Sequence, residues 1–183
     1  MIVNGDPLLM TASPIKNMIP SKQRTNGVSH GLAEVGYDIR IKQTVSFQPP
    51  HYHMSGDIVR GPMHTIFDPD EHHPDFIPLL QRGNFCLASA MEEFTMPDDL
   101  VGIVHDKSTW ARCGLSVFNT VIEPGWNGFL TLELVFHGND RIVIPAGTGI
   151  AQVIFHQIME PTEYQGSYQN QANEPVSSLV HKI

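Results

Sequence analysis

The chain has 183 residues, of which 41% are hydrophobic, and this is enough apolar material for one domain with its own core. A formal net charge of −8 argues against a protein that coats nucleic acid. The two cysteines, Cys86 and Cys113, form neither a CxxC motif nor a disulfide framework, which indicates a reducing compartment. The sequence has no cationic leader and no apolar run of the roughly 18 residues that a membrane helix needs. We therefore expect a soluble, cytoplasmic protein that binds neither membrane nor nucleic acid.

The elements in chain order predict an all-β domain. Fourteen prolines and fifteen glycines separate short apolar runs, a pattern typical of strands and turns. Residues 37–47 alternate between apolar and polar side chains, which predicts a half-buried strand. Short helices are expected only near residues 6–12 and 108–112. Further strands are predicted at 84–95, 100–105, 115–121, 129–136, 141–144 and 150–155. Many short strands at close spacing favour a jelly roll or a barrel.

Residues 48–75 show no sustained periodicity, and we expect an irregular excursion there. The segment contains five of the ten histidines: His51, His53, His64, His72 and His73. A metal site is one interpretation of these histidines, and a polar excursion between strands is the other. The excursion is favoured because no fixed metal-binding spacing such as HExxH is present. The domain is predicted to span residues 1–160, and the polar residues 161–183 are predicted to form a flexible tail.

Glu133 interrupts an otherwise apolar strand. It shares one face of that strand with Thr131 and Val135, and a solvated face is the simplest explanation for a lone glutamate. A carboxylate among leucines is costly to bury unless it is paired, and Arg112 is the expected partner that would keep it ionised. An ionised carboxylate beside a hydroxyl such as that of Ser108 can hold and deprotonate a water molecule. That is the equipment for hydrolytic attack on an activated ring carbon.

Several stretches of the chain resemble the motifs of one family. The sequence KSTWARCGL at 107–115 is similar to the [RK]SS[LW][AG]RxGL stretch of the dCTP deaminases, and IEPGWNGFLTLEL at 122–134 is similar to their IDPG[WF]xGx[IL]xLE[LF] stretch. Three further stretches resemble motifs of the same family. Residues 36–40 resemble an early GxxYD[LIV]R strand, and residues 88–102 resemble a TxEx[VF]x[LM]PxDLVG strand. Residues 166–171 resemble the KY[RQ]xQ motif of a C-terminal flap. On the basis of these motifs, the chain is identified as a member of the dCTP deaminase/dUTPase family. The resemblance extends over about residues 30–172, with a divergent segment at 48–80.

The resemblance implies a zinc-independent enzyme that converts dCTP to dUTP and ammonia on a distorted jelly roll or β-barrel of the dUTPase-like type. Glu133 would be the general base, Ser108 would position the water or the amino group, and Arg112 would hold Glu133 as the anion. Mg²⁺ would bind through the triphosphate and not through protein side chains. The family is homotrimeric with active sites at subunit interfaces, so the same is expected here.

The implied substrate contacts cover the sugar, the base and the phosphates. Trp126 would lie against the deoxyribose, and Glu123 would accept a hydrogen bond from its 3′-hydroxyl. Asn119 belongs to a segment that should line the pyrimidine pocket, and Gln152 is a candidate to reach a neighbouring subunit's site. The triphosphate would be contacted by Lys107, Tyr164 and Gln171, with Tyr168 in the flap that orders over it.

Zinc deaminases make the same nucleophile on a metal ion, with an H-x-E motif and a distant P-C-x-x-C motif. Neither motif occurs in this chain. The sequence therefore predicts chemistry without zinc.

Two departures from the family pattern keep other functions open. Glu123 stands where the family usually has Asp, and residues 119–121 replace its TAHR or TAG[WF] run. A bifunctional enzyme that carries dCTP to dUMP and pyrophosphate is one alternative, and a plain dUTPase is another, although Glu133 speaks against the latter. The third alternative is a nucleotide-binding regulatory module. The presence of Ser108, Arg112 and Glu133 argues against it.

Overall fold

The computed structural model describes residues 1–48, 51–52, 58–59, 63–67, 79–82 and 84–179, with side chains in the first and last of these ranges. These residues form strands and two short helical segments, a π-helical turn at Pro7–Ala12 and the helix α1 at Ser108–Ala111. The predicted all-β class with minor short helices is therefore confirmed. The strands are β1 (Ile2–Val3), β2 (Gln23–Thr25), β3 (Val28–Leu32), β4 (Tyr37–Arg40), β5 (Thr44–Gln48), β6 (His51–Tyr52), β7 (Ile58–Val59), β8 (Met63–Phe67), β9 (Leu79–Arg82), β10 (Phe85–Thr95), β11 (Leu100–Asp106), β12 (Leu115–Val117), β13 (Val121–Ile122), β14 (Asn127–Phe136), β15 (Ile142–Ile144) and β16 (Gly149–Gln157).

The strands pair antiparallel in several sheets. The largest has the order β13-β11-β16-β4-β3-β2, with β1 added on β16. A second sheet has the order β10-β14-β12, a third has the order β15-β5-β8-β9, and β6 pairs with β7. The second sheet carries the longest strands, β10 and β14, and it is this sheet that presents Glu133.

Alternating side chains on β14 explain how one strand serves both the core and the site. Leu132 and Leu134 are buried, whereas Thr131 and Glu133 on the opposite face are only half-buried. Truncating a buried leucine of this kind costs about 2–5 kcal/mol. The apolar face therefore fixes the strand, and the other face is free to carry chemistry.

Residues 37–47 form two strands and not the single strand that their alternation predicts. Between β4 and β5, the N–H of Ile41 donates to Thr148 O at 3.0 Å and the N–H of Lys42 donates to Ser89 O at 2.8 Å. The chain thus leaves the largest sheet and enters another while its side chains keep alternating. The predicted strand 115–121 is likewise divided into β12 and β13, which pair with β14 and β11 respectively.

The stretch 48–75, expected to be irregular, contains the strands β6, β7 and β8. β8 obtains its hydrogen-bond partners from β5 and β9, which are distant in sequence, so local periodicity does not reveal it. His53, His72 and His73 lie outside the described residues. His51 lies on β6 and His64 lies on β8, and only the backbone of these strands is described. The side chains that the metal-site interpretation requires are therefore not described.

Neither helical segment in the described part of the chain has the length and hydropathy to span a bilayer.

Candidate active site

Glu133 projects from the middle of β14 into apolar surroundings. It is opposite Leu87 of β10, and on the other side the N–H of Phe118 donates to the Glu133 carbonyl at 2.9 Å. Burial raises the pKa of the Glu133 carboxyl, and a hydrogen bond from the backbone opposes this in part. A carboxylate whose pKa is raised is a stronger base than an exposed one, which suits a group that takes and returns a proton.

Six of the residues predicted from the sequence line one cavity of about 470 Å³. This volume lies within the range of roughly 300–1,000 Å³ that small-molecule sites have. Thr120, Val121 and Leu87 also line it. The six residues are Glu123, Trp126, Glu133, Tyr164, Tyr168 and Gln171.

The turn before β14 places Trp126 and Glu123 on the cavity wall. Gly125 allows the turn because its φ is +72°, a conformation that favours glycine. Trp126 is buried against Phe94, with ring centroids 6.2 Å apart. Its indole N–H donates to Tyr168 O at 2.6 Å, whereas Glu123 is exposed. Trp126 is therefore fixed in place, and Glu123 is available to a ligand.

The tail after β16 lies along β14 of its own chain. Phe129 N–H donates to Gln171 O at 3.1 Å, and Thr131 Oγ1 donates to Gln171 Oε1 at 3.2 Å. Val176 N–H donates to Thr131 Oγ1 at 3.0 Å. Since Thr131 shares its face with Glu133, these contacts bring the tail close to Glu133. The tail's flexibility without ligand stays a prediction.

Gly128 makes this tail contact possible. Its φ is +129°, and a Cβ atom there would lie 2.6 Å from Gln171 N. The sequence alone does not reveal this role of Gly128, because a single glycine at the start of a strand has many explanations. The one available signal was that residues 122–134 and 166–171 both resemble motifs of the same family.

Ser108 lies at the start of α1 and Arg112 directly follows its last residue, and neither side chain lines the cavity. Both residues are exposed. Within the described residues no cation pairs with Glu133, so the expected Arg112–Glu133 pair is not formed inside one chain. The physical reason is that Arg112 follows a turn fastened to the largest sheet, where Trp110 Nε1 donates to Gly149 O at 2.7 Å.

Lys107, Gln152 and Asn119 do not line the cavity either. Lys107 forms an ion pair with Asp38. Gln152 Nε2 donates to Val35 O at 2.7 Å. Asn119 is exposed and immediately precedes the cavity-lining Thr120.

Arg40 and Glu92 form a partly buried ion pair that the sequence did not predict. Arg40 Nε donates to Glu92 Oε1 at 2.8 Å, and Arg40 N donates to Glu92 Oε2 at 2.9 Å. Burial raises the pKa of Glu92, and Arg40 opposes that rise. The pair joins β4 to β10, so Arg40 has a structural role.

Across the residues whose side chains are described, no three His, Cys, Asp or Glu side chains come together as a metal site would require. The prediction that zinc takes no part stays a prediction.

The dCTP deaminase-like family model matches residues 9–158. The chain belongs to the dCTP deaminase-like family. Its relatives include the dCTP deaminase of Campylobacter fetus subsp. fetus, 38% identical over 152 residues that cover 79% of this chain and 78% of that protein. The dCTP deaminase of Roseiflexus castenholzii is 32% identical over 171 residues, which cover 86% of each chain. The resemblance seen in the motifs is thereby confirmed.

Solved structures similar to this chain include two dUTPases. The native dUTPase of EIAV matches with a TM-score of 0.47 and 15% identity, over 80% of this chain and 95% of that one. The dUTPase of the S. aureus phage phi11 matches with a TM-score of 0.47 and 14% identity, over 83% of this chain and 91% of that one.

Proposed function

We propose that the chain deaminates dCTP hydrolytically to dUTP and ammonia, with Glu133 as the general base. Membership in the dCTP deaminase-like family and relatives named dCTP deaminase support this reaction. The observation that carries the residue assignment is the position of Glu133, whose pKa is raised by burial, on a cavity that is also lined by Trp126 and by five residues of the tail.

The chemistry requires one water molecule and one carboxylate that exchanges a proton. Glu133 removes a proton from water, whose oxygen adds to C4 of the cytosine ring. The resulting tetrahedral carbon carries both the new hydroxyl and the old amino group. Addition at C4 moves the electron pair of the N3=C4 bond onto N3. Glu133 then returns the proton to the amino group, the bond from C4 to that nitrogen breaks, and ammonia leaves. The proton of the new hydroxyl group moves to N3, which gives the 4-oxo form of uracil. Leu87, which lies opposite Glu133 and lines the cavity, suits this role because apolar surroundings raise the basicity of the carboxylate.

The rest of the cavity suits a deoxynucleotide. The part of Trp126 that lines the cavity would support the deoxyribose, and the exposed carboxylate of Glu123 would accept from its 3′-hydroxyl. Tyr164, Tyr168 and Gln171 of the tail would contact the triphosphate, and closure of the tail would exclude bulk water. Lys107 would reach the triphosphate only by leaving Asp38.

We infer that Ser108 and Arg112 reach Glu133 from a neighbouring copy of the chain in a homotrimer. Two observations support this arrangement: both residues are exposed, and the surface around Glu133 is apolar and uncovered. Phe85, Phe118 and Val121 have exposed fractions of 42%, 51% and 54%. A second copy packed on this face would bury them and bring cationic and hydroxyl groups to the site. Asn119 and Gln152 would likewise contribute across that interface.

Mg²⁺ would enter with the nucleotide, held by its triphosphate and not by side chains of the chain, and it would neutralise part of the phosphate charge.

A chromatographic time course with dCTP and dUTP as separate substrates tests the proposal. We expect dUTP and ammonia from dCTP and no reaction of dUTP, with EDTA lowering turnover and Mg²⁺ restoring it. Conversion of dCTP to dUMP and pyrophosphate would indicate the bifunctional alternative. Binding of dCTP without turnover would indicate a regulatory module, and rescue by Zn²⁺ alone would contradict the zinc-free site.

A further inference from the structure

A second cavity, of about 410 Å³, lies at the end of the largest sheet where β1 joins β16. Its walls include Ile2 and Val3 of β1, Ala12 of the π-helical turn and Leu100 at the start of β11. It shares no lining residue with the cavity around Glu133. Its volume is within the range of roughly 300–1,000 Å³ that ligand sites have. The deamination proposed above makes no use of it.

Three methionines lie at the edge of this second cavity. Met1 lines it, and Met10 directly precedes Thr11, which also lines it. Met159 follows the cavity-lining Gln157 by two residues, and the N–H of Gln157 donates to Met1 O at 2.9 Å. The methionines are 83%, 82% and 98% exposed, more than any other large apolar side chain of the described residues. Clustered exposed apolar side chains mark interaction surfaces, and flexible methionines adapt to the shape of a partner. We name the second cavity together with these three methionines the methionine groove.

The methionine groove is bordered by carboxylates without ion-pair partners. Asp99 lines the cavity, and Asp98 directly precedes it in the chain. Asp6 directly precedes the π-helical turn, and Glu160 directly follows Met159. None of these four carboxylates forms an ion pair within the described part of the chain, and no described lining residue has a cationic side chain. The groove therefore attracts cations and repels nucleic acid and anionic membranes.

These charges disfavour a second copy of the chain as the occupant. In a two-fold contact the same surface of both copies meets, so the four carboxylates of one copy would face those of the other. Like charges placed opposite each other across an interface weaken binding. The groove instead suits a different protein, whose apolar side chain enters the cavity and whose lysine or arginine residues flank it. An amphipathic basic helix presents such a pattern.

One loop connects the methionine groove to the active site. Pro97 lines the groove, and its carbonyl accepts the N–H of Gly125 at 3.2 Å. The preceding residue, Met96, donates its N–H to Trp126 O at 2.9 Å. Gly125 and Trp126 belong to the turn that forms part of the wall of the cavity around Glu133. A partner that moves Pro97 would therefore move this wall.

The same loop also holds the start of the tail. Asp98 O accepts the N–H of Thr162 at 2.8 Å, and Asp99 O accepts the N–H of Ile158 at 2.9 Å. Tyr164, which lines the active-site cavity, follows Thr162 by two residues. Residues 96–99 thus connect the groove to both the active-site turn and the tail.

We propose that the methionine groove docks a partner protein through a segment that presents an apolar side chain flanked by lysine or arginine. Docking changes the rate of deamination through residues 96–99 and leaves the cavity around Glu133 uncovered. The docking itself is independent of the proposed function, whereas its effect on turnover rests on that function. Coupling between two such sites typically changes a constant by about fivefold or more.

The probe is a fluorescein-labelled helical peptide of about 14 residues that contains only Leu and Lys, with Leu at i, i+3, i+4 and i+7. Its binding to the full chain is measured by fluorescence anisotropy without nucleotide. We expect a Kd of about 100 μM or tighter, and at least about tenfold weaker binding of the same peptide with Glu in place of Lys. Met159→Gln and Asp99→Asn should each weaken binding of the Lys peptide at least about fivefold. Val143→Gln and Asp140→Asn, at an exposed valine and an exposed carboxyl outside the groove, are the matched controls and should bind it like wild type.

Hydrogen exchange locates the peptide on the chain. The Lys peptide should slow exchange at residues 1–12 and 96–100. Slower exchange at residues 85–87 and 118–121 instead would place the peptide on the other exposed apolar surface and overturn the proposal. Equal weakening by the groove variants and their controls would also overturn it. A wild-type mass that falls in Met159→Gln, measured by light scattering, would assign the groove to a second copy of the chain.

The effect on turnover is measured by adding the Lys peptide to the deamination assay. We expect kcat/KM for dCTP to change at least about fivefold in wild type and much less in Met159→Gln at the same peptide concentration. This variant also corrects for binding of the cationic peptide to the triphosphate. Unchanged turnover of wild type with the groove filled would overturn the connection through residues 96–99. If wild type without peptide does not turn over dCTP, the proposed function fails, and the anisotropy and exchange results still decide the docking.

Discussion

Glu133 lies on the half-buried face of β14 that lines the cavity, and the proposed reaction requires its carboxyl to exchange a proton. Replacing it by Gln keeps its shape and removes the base, so Glu133→Gln should lower deamination by at least about 10²–10⁴ and leave dCTP binding nearly intact. Turnover and calorimetric titration with dCTP measure the two effects separately. Glu160→Gln, at an exposed carboxyl after β16, is the control and should behave as wild type. A Glu133→Gln variant with more than about a tenth of wild-type turnover would exclude Glu133 as the base.

The pH dependence should show how Arg112 acts on Glu133. Burial raises the pKa of the Glu133 carboxyl in the single chain, and a nearby guanidinium would lower it. The base must be deprotonated, so kcat/KM should rise with pH through the pKa of Glu133. In Arg112→Ala this acidic limb should move to higher pH, because burial is then less opposed. The kcat/KM profile of both proteins measures this shift, and an acidic limb that stays in place would show that Arg112 does not contact Glu133.

The sequence alone identified six of the residues that line the cavity, but it did not separate them from Ser108 and Arg112, which do not line it. Glu123, Trp126 and Glu133 follow one another on a turn and strand, so their proximity follows from local structure. The Arg112–Glu133 pairing was inferred from chemical need, and the single chain does not form it. The partner of Lys107 could not be predicted, because Asp38 is far away in sequence and is brought close only by the pairing of β4 with β16.

At the scale of elements, the tail docks on β14 through a contact that only glycine permits. Gly128→Ala places a Cβ atom 2.6 Å from Gln171 N, so the tail should detach from the strand. We expect a large loss of turnover together with faster hydrogen exchange over residues 164–176. Gly147→Ala is the matched control: its φ is also positive, at +77°, but its nearest neighbour is a Thr25 methyl group at 3.9 Å. Equal losses in the two variants would mean that backbone strain, and not the tail, is responsible.

The long strands were predictable, and so was the short strand β15, but the other short strands were not predicted as separate elements. β10, β14 and β16 combine an alternating pattern with enough length to make that pattern distinct. β4 and β5 share one uninterrupted alternation, yet the chain changes sheets at Ile41 and Lys42. The division depends on hydrogen bonds to Thr148 and Ser89, which no local pattern encodes.

At the scale of the whole molecule, a site shared between chains can be tested by complementation. Arg112→Ala and Glu133→Gln should each be nearly inactive alone. If the two residues come from different copies, coexpression should restore activity at about a quarter of the interfaces of a randomly mixed trimer. Assay of the mixed and unmixed proteins, with mass measured by light scattering, gives the result. Mixed trimers that remain inactive would place both residues in the same chain's site.

The origin of the new oxygen atom tests the central claim most directly. In water enriched in oxygen-18, attack at C4 must place one labelled oxygen on the uracil base of the product and none on its phosphates. Mass spectrometry of dUTP formed from dCTP reads this directly, with Glu133→Gln as the inactive comparison. We predict one label on the base, formed at the same rate as ammonia. Label on a phosphate with the cytosine amino group retained would contradict deamination and show that the chain hydrolyses the phosphate ester instead.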